Sequence, residues 1–174
     1  MYALVVREHV AETTYSEPPA GQDRGRRPSE AELGAWRAFL RAGSAAGLAM
    51  EAALAPTGVS HSEYDVLVNV AGGPREGLRP TELAERVLLT KSGLTRLLDR
   101  LVERGYIERR VCASDRRGQL IVLTAEGRHA FRRATPNIVR AIGAILGGQL
   151  GDRDVDALRV ACERIATAAE AMTA

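Results

Sequence analysis

TELAERVLLTKSGLTRLLDRLVERGYIERRVCASDRR, residues 81–117, is the stretch whose reading decides how this chain folds. Residues 81–87 predict a short amphipathic helix, followed by a tight turn. A second helix opens at Thr90 and stops at Gly105. Residues 106–111 predict a strand that leads into an Arg-tipped loop, and residues 119–123 predict the return strand. Helix, turn, helix and hairpin in that order make a winged helix-turn-helix. Such a unit sets its second helix in the DNA major groove and its hairpin beside the backbone or in the minor groove.

The second helix reads residue by residue. Leu94, Leu97, Leu98, Leu101 and Val102 recur at i, i+3, i+4, i+7 and i+8 and form the core stripe. The opposite face carries Lys91, Ser92, Thr95, Arg96, Asp99, Arg100 and Glu103. Thr90 suits the N-cap, and Gly105 suits the left-handed residue that ends a helix. Small polar residues and one cation at the helix N-terminus let it approach base edges and phosphates closely. On its own, such a polar face reads as that of an ordinary solvated helix; the hairpin immediately after it tips the balance toward DNA.

Charge is distributed to match. The whole chain carries only +2. Residues 86–117 hold nine lysines and arginines against four acids, a net +5, whereas residues 29–85 hold four arginines against eight acids, a net −4. A cationic zone on a near-neutral chain is the electrostatic footprint of a phosphate-binding face.

The segments LRPTELAERV, TKSGLTRLLDRLVERGYIERR and SDRRGQLIVLTAEG resemble the MarR family of bacterial transcription regulators, from about Ser29 to the C-terminus. Each motif alone is weak; their order and spacing together are specific. The resemblance implies a mainly α fold with a small β-sheet wing, flanked by N- and C-terminal dimerisation helices. It also implies a wing-tip carboxylate, Asp115, that braces Arg117 as the arginine enters the minor groove beside Arg116. The expected DNA-binding set is therefore Arg79, Thr90, Lys91, Ser92, Thr95, Arg96, Arg100, Asp115, Arg116 and Arg117. Family members often bind small aromatic or phenolic acids between the dimer helices and the DNA-binding lobe. Trp36, Arg37 and Leu40 with His61, Tyr64 and Asp65 are the candidates for such a cleft, although Trp36 and Tyr64 taken singly read as core residues.

Outside that unit the chain divides as follows. Residues 1–28 include the Pro-, Gly- and charge-rich SEPPAGQDRGRRP and predict a disordered extension. Residues 29–59 form the first dimerisation helix, opened by a Ser29–Glu32 capping box and closed by Pro56 and Gly58. Residues 60–125 form the DNA-binding lobe. Its first helix is opened by a Ser60–Glu63 capping box and turns Tyr64, Leu67, Val68 and Ala71 inward. Residues 72–77 are a loop, and Arg79 sits in a short third strand of the wing sheet. Residues 126–174 form the C-terminal dimerisation helices. The first follows a Thr124 cap, carries Phe131, Ala134, Ile138, Ile142 and Ile145, and should kink or break at Pro136. The second opens at Asp152 and carries Val155, Leu158, Cys162, Ile165 and Ala169. That last stripe has no later element to pack on, so it needs a partner surface. A homodimer would also hold two recognition helices about 34 Å apart, the spacing of a pseudo-palindromic operator.

Several function classes are set aside by what the sequence lacks. No HExxH, CxxC, P-loop or GxSxG motif is present, and His9, His61 and His129 have no carboxylate or cysteine at a useful spacing, so catalysis, metal ligation and a cofactor are not expected. Cys112 and Cys162 do not form a disulfide framework. No apolar run is long enough to span a membrane, and MYALVV lacks the basic and apolar regions of a signal peptide, so a cytoplasmic location is expected. The expectation is a transcription regulator, a repressor first, that binds operator DNA as a homodimer and answers to a small aromatic ligand. The alternatives are a winged-helix module that binds protein instead of DNA, and a thiol-based redox regulator acting through Cys112.

Overall fold

Ser29 and Glu32 open the first helix as their spacing predicts: the Glu32 carboxylate accepts from the Ser29 N–H at 2.7 Å, and Ser29 Oγ accepts from the Glu32 N–H at 3.2 Å. The computed structural model describes residues 27–87, 91–112 and 115–172, and of residues 91, 112 and 115–117 the backbone alone. Of the expected extension 1–28, only Arg27 and Pro28 fall within this range, and Thr90 and the turn before α4 lie outside the described residues. The elements are α1 (Glu30–Leu54), a 3₁₀ turn (Ala55–Thr57), α2 (His61–Ala71), α3 (Pro80–Arg86), α4 (Lys91–Glu103), β1 (Ile107–Cys112), β2 (Asp115–Leu123), α5 (Ala125–Ile142), a π turn (Gly143–Gly147) and α6 (Asp152–Ala171). The fold is mainly α with a two-stranded wing, as expected.

The chain divides into two compact units between Phe39 and Leu40. In the first, the rings of Trp36 and Phe39 lie 5.8 Å apart, and Trp36 is 53% exposed. The second holds the core. α1 ends where Thr57 Oγ1 donates to the Leu54 carbonyl and Gly58 takes a left-handed φ of 69°. The second capping box then starts α2, with Ser60 Oγ accepting from the Glu63 N–H and Glu63 accepting from the Ser60 N–H. α2 buries Tyr64, Val66, Leu67 and Val70. Val68 and Ala71, expected inward, are exposed: Val68 lies about 100° around the helix from Leu67, at the edge of the buried stripe, and Ala71 is the last helical residue.

Arg79 is not a strand residue. Leu78 makes the single bridge to the wing, exchanging both backbone hydrogen bonds with Ile121. Pro80 holds the residue before it extended, and the Glu82 carboxylate accepts the Arg79 N–H at 2.9 Å, so Arg79 becomes the N-cap of α3. The hairpin is also longer than its alternation predicts. Ile107 to Val111 pair in register with Leu123 to Gln119, and Cys112 then pairs with Asp115, so a bulge on β2 absorbs residues 116–118.

Thr124 caps α5, its Oγ1 accepting from the Gly127 N–H at 2.9 Å. Pro136 does not break this helix, which continues to Ile142. Proline removes one backbone hydrogen bond, and the buried Ala134 and Ile138 hold the helix on either side of it. A π turn follows between Gly143 and Gly147. Ile142, expected in the core stripe, is exposed. α6 opens at Asp152 as expected and contains no buried residue. Its stripe of Val155, Leu158 and Ile165 is exposed, and Cys162 is half-buried.

Candidate nucleic-acid interface

α4 is amphipathic because its leucines repeat at helical spacing. Leu94, Leu97, Leu98 and Leu101 are all buried, and Ser92, Thr95, Arg96 and Arg100 are all exposed. Val102 was expected to extend the apolar stripe and is exposed instead. Each residue advances about 100° around the helix, so the i+8 position falls at the edge of a stripe centred on the leucines. The helix stops in the manner its glycine predicts. Gly105 has φ 68°, its N–H donates to Val102 O, and the Tyr106 N–H donates to Leu101 O. These two bonds make a Schellman motif.

The wing follows at once and is fixed to the helix by Thr124 and Gly127. The Thr124 N–H donates to Tyr106 O, and its hydroxyl donates to Gly105 O at 2.6 Å. A Cβ on Gly127 would lie 1.8 Å from Tyr106 O, so only glycine lets α5 pack this close to the start of the wing. The Thr-x-x-Gly of residues 124–127 is thus a local cap combined with a close approach between elements.

Electrostatics on this surface is more selective than the net +5 implies. Arg109 donates to Asp99 at 2.6 Å, which offsets the one carboxylate at the middle of the outward face of α4. Arg110 pairs with Glu108 on the same strand. Arg104, at the surface, is held by the fold: Nη1 donates to both oxygens of Glu63, at 2.9 and 2.8 Å, and Nη2 donates to Gly58 O and Tyr106 Oη. Burial would raise the Glu63 pKa, but the Ser60 N–H and the Arg104 guanidinium more than offset this and hold the carboxyl below its ordinary range. Burial likewise works to lower the Arg104 pKa, and Glu63 and Tyr106 together raise it. Among the described residues, Arg86, Arg96 and Arg100 are further exposed cations along the helix-turn-helix. Sequence spacing gave no signal for the Glu63–Arg104 pair, which joins positions 41 residues apart.

Of the expected DNA-binding set, the structure brings Ser92, Thr95, Arg96 and Arg100 onto one exposed helical face. Arg79 stands apart, at the start of α3. Thr90 and the side chains of Lys91, Asp115, Arg116, Arg117 and Cys112 lie outside the described residues. The ligand candidates fall in both units. Trp36 and Arg37 are exposed in the first. In the second, Leu40 is exposed and His61 begins α2, its N–H donating to Glu51 at 2.8 Å. Tyr64 is buried, stacked on Phe131 at 5.8 Å and bonded through its hydroxyl to Thr135. Asp65 is half-buried, which raises its pKa against the opposing pull of His61. Among the described residues there is no group of three metal-ligating side chains, and no helix is long and apolar enough to cross a membrane.

A leucine-anchored recognition helix, a preceding helix and an antiparallel wing define a winged helix-turn-helix protein. Residues 57–118 match the MarR family model. Sco3205 of Streptomyces coelicolor, a MarR family transcriptional regulator solved in complex with DNA, is 32% identical with a TM-score of 0.77, over 83% of this chain and 91% of that one. CouR of Rhodococcus jostii RHA1, solved bound to p-coumaroyl-CoA, is 30% identical with a TM-score of 0.69, over 81% of this chain and 96% of that one; it is also described as a transcriptional repressor bound to a 23-mer DNA duplex. The HTH-type transcriptional regulator PrsX of Escherichia coli is 35% identical over 78 residues, 45% of this chain and 47% of that protein, so the chain spans about half the length of this relative. The chain belongs to the MarR family of transcription regulators.

Proposed function

We propose that this protein is a transcription regulator, a repressor in the first instance, that binds a pseudo-palindromic operator as a homodimer. The observation that carries the proposal is the face of α4. Four leucines anchor one side, while small polar residues and two arginines stand outward on the other, directly before a basic hairpin. A helix so anchored can lie in the major groove with its first turns against base edges. Arg116 and Arg117 would supply the wing's contact with the minor groove, with Asp115 bracing Arg117. Sco3205 and CouR, the one solved with DNA and the other described as a DNA-bound repressor, support this reading.

The proposed dimer rests on the ends of the chain. Val139, Ile142, Val155, Leu158 and Ile165 are exposed, and apolar side chains repeated along two helices call for a covering surface. A second copy supplies both that surface and a second recognition helix. The reading assigns residues 29–59 and 126–174 to dimerisation and residues 60–125 to DNA. It gives the chain no catalytic role and places it in the cytoplasm, where the DNA is.

A small aromatic ligand is the proposed effector, with Leu40, His61, Tyr64 and Asp65 of the second unit as the candidates to meet it; CouR's complex with p-coumaroyl-CoA supports the class. Calorimetry with a phenolic carboxylate, with and without operator, tests it. Linkage requires each to weaken the other by the same factor, typically about 5- to 150-fold. Mutual indifference would remove the compound as effector. The DNA reading is tested by selecting duplexes from a randomised pool with the full-length protein. Recovery of an inverted repeat is expected, and a pool without sequence preference would contradict the reading.

A further inference from the structure

Arg104 is the first residue after α4, and its guanidinium reaches three other parts of the fold. It donates twice to Glu63 in the first turn of α2, once to the Gly58 carbonyl at the left-handed corner after α1, and once to Tyr106 at the mouth of the wing. It also lies over the Tyr106 ring, 4.5 Å from its centre. Glu63 is 6% exposed, and its carboxylate serves at the same time as the reciprocal half of the α2 capping box. The guanidinium of Arg104 is therefore paired and turned toward α2, although its side chain is 36% exposed and sits in the most basic segment of the chain.

We infer that Glu63 and Arg104 are positioning residues for DNA reading: they fix the attitude of the recognition helix against the corner between α1 and α2. The inference rests on the DNA-binding reading above. Lever length gives the reason. Ser92 lies twelve residues before Arg104, about 18 Å along a helix at 1.5 Å per residue. A tilt of about 5° at Arg104 moves the Ser92 end by about 1.5 Å. That is half the length of a hydrogen bond, enough to lose base-edge contacts while leaving long-range attraction to phosphate intact. Arginine is suited to the place because its planar fork can hold Glu63 with one nitrogen and Gly58 and Tyr106 with the other; lysine is a point charge and cannot.

The test uses full-length Glu63→Gln and Arg104→Lys proteins, with circular dichroism and a thermal melt to confirm folding. Each is titrated with the duplex selected by the wild-type protein and with a mixed-sequence duplex, across a range of salt. Arg104→Lys preserves net charge, so any loss it shows is one of geometry. Both variants are expected to lose about tenfold on the selected duplex, comparable to one mismatched base pair in the site. Their affinity for mixed sequence and their salt slope should stay at the wild-type value, because no phosphate contact is removed. Wild-type affinity in Arg104→Lys would overturn the inference. So would an equal loss on both duplexes, which marks general destabilisation, or a slope reduced by about one unit, which marks a phosphate contact. If the wild-type protein selects no duplex, the DNA-binding reading itself falls.

Discussion

The winged lobe and the C-terminal helix are built from similar apolar spacings and end in opposite states. In α4 the leucine stripe is buried, against α2 and the wing; in α6 an equally regular stripe of Val155, Leu158 and Ile165 is exposed. The difference teaches what an apolar period means. It specifies a face that must be buried, and the surrounding elements decide whether the same chain buries it. The lobe has those elements and, among the described residues, α6 does not, so α6 is where the proposed association is placed.

The largest expected effect separates the two regions directly. Leu101→Ala removes a fully buried side chain and should destabilise the lobe by about 2–5 kcal/mol in urea unfolding. Leu158→Ala should leave the unfolding of the lobe unchanged when measured at concentrations where the protein is monomeric. Similar losses at both positions would mean that α6 belongs to the same cooperative core.

Association is tested next by Leu158→Asp with Ile165→Asp. Sedimentation should show dimers for the wild-type protein at micromolar concentration and folded monomers for the double variant. A double variant that stays dimeric would move the interface away from α6. At the DNA surface, Arg117→Ala should reduce the salt dependence of operator binding by about one unit of slope per cation lost in each subunit. Unchanged affinity and slope would remove the wing from the interface.

The smallest effect lies within one turn of α2, where two acids should respond to pH with opposite sign. Glu63 has a folded pKa below its unfolded value, so the stability it contributes is present above the ordinary glutamate pKa of about 4.3 and is lost as pH falls through the folded value. Asp65 has a raised folded pKa, so keeping it ionised costs stability at neutral pH, and that cost disappears as pH falls below its unfolded value, about 3.9. Glu63→Gln should therefore destabilise at pH 7 and Asp65→Asn should stabilise, with both differences shrinking toward pH 3 in urea midpoints. The same sign at both positions would show that one of the two environments is misassigned.

The local features of the fold were legible in the sequence because their causes are local. The Ser29 and Ser60 capping boxes, the left-handed Gly105 and the leucine stripe of α4 each depend on residues within about two turns. The stripe edges were less legible: Val68, Val102 and Ile142 are exposed because periodicity gives a direction and not the extent of the opposing surface. Arg79 read as strand because its neighbour Leu78 is one, while Pro80 and Glu82 had already committed it to a helix start. Pro136 read as a kink or a break, and the helix nonetheless runs through it, because its neighbours' burial cannot be seen from composition. Least legible were the contacts between distant positions. Nothing in local spacing announces that Arg104 will seek Glu63, or that Gly127 is glycine because the Tyr106 carbonyl lies against it.

The central claim is that two copies of this chain read one operator together. Sedimentation of the full-length protein with a duplex recovered by selection, at concentrations above the dissociation constant, measures it most directly. The account predicts two chains per duplex, with loss of that species when either half of the inverted repeat is scrambled. A single chain per duplex, or binding indifferent to both halves, would contradict it.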